Sequence, residues 1–151
     1  MADHKDTIAR PAKLYTPRLL ALSADLALFP LIPPYQYSAQ ARSRTCGSVL
    51  DVGLNLDDDA CVSAVGLQVT ACAIGQSSAA IMAHSIKGRA ASYVPNVCLA
   101  IEAWLRGDGE LPDWPGFDAL EPARAHPGRH DALLLPWRGA AKALSTGTVS
   151  S

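Results

Sequence analysis

The sequence predicts an α+β domain, with an N-terminal helix, a three-stranded antiparallel sheet and further helices packed on one face of it. Three observations predict this. A leucine-rich run with helix punctuation fills positions 16–30. Apolar and polar residues then alternate with period two towards Thr70. Beyond Cys72 the alternation stops, and small and apolar residues recur at helical spacing as far as Leu144.

Each element has a local cause. Thr16 can cap a helix whose first turn holds Pro17, a favoured first residue. Leu19, Leu20, Leu22, Leu26 and Leu28 give that helix an apolar face, and Pro30, Pro33 and Pro34 end it. From Tyr35 the period changes. Val49, Asp51, Gly53 and Asn55 alternate with Leu50, Val52, Leu54 and Leu56, which predicts a strand. Asp57, Asp58 and Asp59 form a turn into the next strand, Val62 to Val69. They lack the glycine and distal glutamate of an EF-hand loop, so they read as a solvated turn. Short turns between three strands predict an antiparallel meander.

Ala73 to Ile86 reads as a helix stopped at Lys87–Gly88. Ala91 to Arg106 reads as another, ending at Gly107, with Pro95 and Asn96 making it start late or bend early. Leu111 to Pro127 reads as a loop dense in proline and glycine, anchored by Trp114 and Phe117. Arg129 to Leu144 reads as a last amphipathic helix. Residues 14–145 therefore make one domain, between a flexible lead, 1–13, and a flexible tail, 146–151.

A chain of 151 residues is one domain by size and can bury a core without disulfides. Thirteen basic residues face fourteen acidic ones, a net charge of −1, which predicts neither a nucleic-acid nor an anionic-membrane partner. No apolar run approaches the roughly 18 residues of a membrane span. Met1 to Lys13 is polar and carries acids, so it does not read as a signal peptide. A cytoplasmic protein with reduced cysteines is expected.

The cysteines are Cys46, Cys61, Cys72 and Cys98. Cys46 lies in Thr45–Cys46–Gly47–Ser48, where a loop enters a strand. Cys72 opens Cys72–Ala73–Ile74–Gly75–Gln76–Ser77–Ser78, where a strand hands over to a helix. The N–H groups of a helix start carry partial positive charge that favours a thiolate, the form that binds metal or accepts sulfur. Gly75 lets a backbone or a bulky ligand come close. The plainer reading of Cys72, a small core residue between Val69 and Ile74, stands beside this one. Cys61 and Cys98 read as packing residues, His84 as a surface residue, and Trp104, Trp114 and Trp137 as core or loop anchors. No Gly-x-Ser-x-Gly, phosphate-binding loop or His-Glu-x-x-His motif is present, and an enzyme is not expected.

These motifs resemble those of the NifU/IscU/SufU family of iron–sulfur cluster assembly scaffolds, from Leu14–Tyr15–Thr16 to the last helix. Cys46–Gly47–Ser48 is similar to the family's Cys-Gly-Asp, and the Cys72 segment to its Gly-Cys-Ala-Ile-Ser-Gln-Ala-Ser. Arg129 and Trp137 match its Arg-x-x-Cys-(x)4-Trp, with Ala132 in the place of the third cysteine. The resemblance implies a SufE/NifU-like fold. It also implies a scaffold that accepts sulfur and binds iron, a cluster or zinc through Cys46 and Cys72. A cysteine desulfurase and recipient apoproteins would be its partners. Ser48 and Ala132 depart from the pattern and leave two thiolates where about four donors are wanted. Asp131 and His130 are candidates to complete a mixed metal site. Two alternatives carry no metal. One is a degenerate paralogue serving as an interaction module. The other is a SufE-like persulfide acceptor using Cys72.

Overall fold

The structure, a computed structural model, describes residues 14–146. The expected flexible lead and residues 147–151 of the expected tail lie outside them. Helix α1 is Pro17–Ala24, and Thr16 Oγ1 accepts the Leu19 N–H at 3.1 Å. A 3-10 turn, Asp25–Leu28, follows. The apolar face of this region is narrower than its leucines imply. Leu19 is buried and Leu22 and Leu26 pack on the core, whereas Leu20 and Leu28 are exposed. Positions 19, 22 and 26 share one helical stripe, and position 20 is turned about 100° from it.

Strands β1 (Tyr37–Arg42), β2 (Val49–Leu56) and β3 (Val62–Thr70) form an antiparallel sheet in the order β1-β2-β3. The period-two reading holds: Leu50, Val52 and Leu54 are buried against the helices. The acidic turn is exposed, and Asp57 Oδ1 accepts the N–H groups of Asp59 and Cys61.

Helix α2 is Ala73–Ile86 and helix α3 is Tyr93–Arg106. The latter starts two residues after Ala91. The backbone before it is committed to the start of β3: Ala91 N–H bonds Ala60 O, and Cys61 bridges Ala90. Pro95 falls in the first turn, where a missing N–H costs no helical bond. The expected proline-rich loop contains 3-10 segments, Phe117–Ala125 and Pro127–Arg129. Helix α4 runs from His130 to Thr146, one residue later than expected at its start and into the expected tail at its end. No helix among the described residues is long and apolar enough to cross a membrane.

Helix α4 lies across β1 and β2, and α2 packs on β3, α1 and α4. Gly139 permits the α4 contact, because a Cβ there would press on Leu50 and meet Ala41 and Val52. Gly75 does the same between α2 and α4, where a Cβ would meet Ala71 and Ala132. The close approach expected at Gly75 is therefore made by a neighbouring helix. Trp137 is fully buried in α4, edge-on to Trp114 at 4.9 Å and to Phe117 at 5.9 Å. Its Nε1 donates to Ser78 Oγ at 2.8 Å, and Ser78 Oγ donates to the Leu133 carbonyl at 2.6 Å. One buried hydroxyl thus ties α2 to α4 with its partners satisfied.

Candidate functional site

The end of β3, the start of α2, the β1–β2 loop and the start of α4 meet at one side of the sheet. Each brings a residue singled out from the sequence. Cys72 is the N-cap of α2, with its carbonyl accepting the Gln76 N–H. Cys46 lies in the β1–β2 loop, which the Ser43 N–H closes on the Ser48 carbonyl at 2.9 Å. Arg129, the last residue of the 3-10 segment, and Ala132, in the first turn of α4, stand three residues apart and line the same cleft. Cys46, Ser48, Cys72, Arg129 and Ala132 together line a cleft of about 280 Å³.

The remaining expected ligands are engaged elsewhere. His130 Nε2 meets the Arg124 carbonyl at 2.8 Å. Asp131 Oδ2 accepts from Thr45 Oγ1 at 3.2 Å and Ser43 Oγ at 3.5 Å, while its Oδ1 faces Arg138 Nη1 at 3.5 Å. Neither is among the residues lining the cleft. Among the described residues no group of three or more His, Cys, Asp or Glu is arranged to hold a metal ion. Cys98 is buried in α3, and burial, reinforced by Glu102, pushes its thiol up to about 11. Such a thiol stays protonated, in keeping with a packing role. Cys61 lies at the far end of β3, in its bridge to Ala90.

The hydroxyls around Cys46 are the part that motif reasoning missed. Its exposed Sγ lies 3.2 Å from Ser43 Oγ and 3.0 Å from the buried Ser48 Oγ. Ser43 Oγ also accepts the N–H groups of Thr45 and Cys46. A hydroxyl beside a thiol can stabilise its thiolate, and hydrogen bonding with Ser43 first and Ser48 second lowers the Cys46 pKa below the ordinary thiol value. Burial and the Asp131 charge oppose them more weakly. The signal was the spacing Ser43-x-Thr45-Cys46-x-Ser48, dense in hydroxyls around one thiol. Arg129 supplies the positive side of the cleft. Its Nε donates to Tyr15 Oη at 3.2 Å, the main reason its proton is held more tightly than usual, with smaller contributions from Cys72 and Cys46.

This arrangement fixes the pH behaviour of Cys46. Only the thiolate reacts with iodoacetamide. The alkylation rate at Cys46 should therefore level off at a lower pH than that of free cysteine. Ser43→Ala removes the larger stabilisation of the thiolate, so the inflection should move up and the rate at neutral pH should fall. Asp131→Asn removes a repelling charge and should move the inflection down. Mass spectrometry of the labelled peptide across pH checks both signs, and an inflection unmoved by Ser43→Ala would contradict the hydroxyl account.

Comparison with known proteins agrees with this architecture. The chain is similar to the crystal structure of the N-terminal part of a nitrogen-fixing NifU-like protein from Brucella abortus. The TM-score is 0.80 at 27% identity, over 88% of this chain and 93% of that one. It is also similar in fold to a protein from Fervidobacterium islandicum, designated a candidate iron–sulfur cluster assembly scaffold for the SUF system. There the TM-score is 0.78 at 20% identity, over 87% of this chain and 96% of that one. No family model matches the chain, and a search of curated proteins gives no match. The α+β fold is thus that of NifU-like and SUF-type scaffold domains, and the Brucella protein supports the resemblance read from the sequence.

Proposed function

We propose that this protein is a scaffold-like sulfur acceptor of iron–sulfur cluster assembly, working in the cytoplasm through residues 14–145. Cys46 takes the sulfur and Cys72 is the second thiol of the same cleft. The observation that carries the reading is the convergence of Cys46 and Cys72, 26 positions apart in the sequence, on one cleft of a scaffold-type fold. A cysteine desulfurase is the donor and apoproteins are the recipients.

The loading step needs only this chain and the donor's persulfide. The Cys46 thiolate attacks the outer sulfur of that persulfide. The donor's S–S bond breaks, its electron pair leaves on the donor's cysteine, and Cys46 carries the persulfide. Ser43 and Ser48 hold the attacking thiolate, which favours Cys46 over Cys72 as the acceptor.

A resident zinc ion or cluster does not fit the donors present. Two thiols line the cleft, Ala132 contributes a methyl group, Asp131 is held by Thr45 and Arg138, and His130 by a carbonyl. Zinc and [2Fe–2S] units take about four donors. A cluster handled here as cargo would draw the missing ligands from a partner, and the protein acts by holding sulfur rather than by turnover.

The test is anaerobic incubation with a persulfidated cysteine desulfurase, then mapping of bound sulfur by mass spectrometry. Sulfur is expected on Cys46, falling to background in Cys46→Ser and persisting in Cys61→Ser. Absence of label, or label on Cys61 alone, would sink the proposal.

A further inference from the structure

The cleft holds more than two thiols: a guanidinium lines it as well. Among the described residues that line it, Arg129 is charged and no side chain is acidic. Asp131, the nearest acid in sequence, is turned to Thr45 and Arg138. Arg129 spends its Nε on Tyr15 Oη, and its Nη groups have no hydrogen-bond partner among the described residues. That bond orients the guanidinium and leaves a planar fork matched to a pair of oxygens on one group. The opening of about 280 Å³ suits a molecule of a few heavy atoms.

A site for a small anion, walled by two thiols, one held by hydroxyls, specifies its ligand's chemistry. The ligand should carry sulfur that a thiolate can attack, next to an oxyanion that a guanidinium can grip. We propose that the cleft takes small anions bearing a sulfane sulfur, with their sulfonate or carboxylate oxygens on Arg129 and their outer sulfur offered to Cys46. This rests on the reading of Cys46 as a sulfur acceptor and names a second class of donor for it.

With thiosulfate the step balances without any oxidant or reductant. The Cys46 thiolate attacks the outer sulfur, the S–S bond breaks, and its electron pair leaves on the sulfur of sulfite. Cys46 becomes a persulfide, and Arg129 faces the oxygens of the leaving group. With a cysteine persulfide the thiolate of cysteine leaves instead, and Arg129 holds its carboxylate.

The anaerobic full-length protein is incubated with thiosulfate or with cysteine persulfide, and one added sulfur on Cys46 is read by mass spectrometry. Released sulfite is measured in the thiosulfate arm. Loading from at least one anion is expected, and the arm that loads tells sulfonate from carboxylate. Arg129→Gln should slow it by about tenfold to a hundredfold, the scale of a lost charge-assisted hydrogen bond. Arg129→Lys should recover part of the rate. Alkylation separates this role from a merely structural one: Arg129→Gln should lower the rate with anionic iodoacetate far more than with neutral iodoacetamide. Equal loading of Arg129→Gln and the natural protein, or an unchanged ratio of the two alkylation rates, would overturn the anion site. Loading from a persulfidated desulfurase but from neither anion would overturn it while leaving the proposed function standing. Loading from no donor would overturn both.

Discussion

Ala132→Cys is expected to give a protein that retains more zinc through gel filtration than the natural chain. Ala132 lines the cleft with Cys46 and Cys72 and is otherwise 1% exposed. The change adds one sulfur atom at a residue that lines the cleft, so the packing cost should be small. Position 132 is the third residue of α4, where the helix start favours a thiolate. Three thiolates and one exchangeable position make a recognised zinc coordination. Adding Ser48→Asp would supply a carboxylate beside Cys46 and should tighten binding further. Metal content by mass spectrometry and competition with a chromophoric chelator measure both steps. If Ala132→Cys held no more zinc than the natural chain, position 132 would not face the two thiols.

Trp137→Ala should have the largest effect on stability. The ring is fully buried, packed edge-on to Trp114 and Phe117, and its N–H is satisfied by Ser78. Emptying such a site costs about 3–5 kcal/mol. Total stabilities of about 5–15 kcal/mol leave little after that loss. Thermal melting should show a large drop in Tm. Trp137→Phe keeps most of the bulk and loses only the bond to Ser78, so it should cost about 1–3 kcal/mol. Equal losses in the two variants would mean that the hydrogen bond, not the packing, dominates.

The elements and the cleft were legible in the sequence to different depths, for physical reasons. The strand period, the Thr16 cap and the Gly107 stop are local signals, and the structure repeats them. The start of α3 was less legible because its preceding residues pair with the beginning of β3, a contact made across some 30 positions of chain. Cys46, Cys72 and Ala132 line one cleft. Asp131 and His130 stand between two cleft residues, Arg129 and Ala132, and helical rotation turns them away from the face that those two share. Neighbours in sequence at a helix start are not neighbours in a site. Ser48 was legible as a departure from the motif that the segment resembles but not as a partner of Cys46, because a hydroxyl's role depends on the atom it reaches. Here that atom is Cys46 Sγ.

The place of Ala132 bears on how such a protein can change over generations. Its side chain is buried beside Gly75 and forms part of the wall of the cleft. Cysteine differs from alanine there by one sulfur atom, so a single replacement can change the donor set of the cleft while the helix contact keeps most of its form. Fold and donor set can therefore vary separately at this one position.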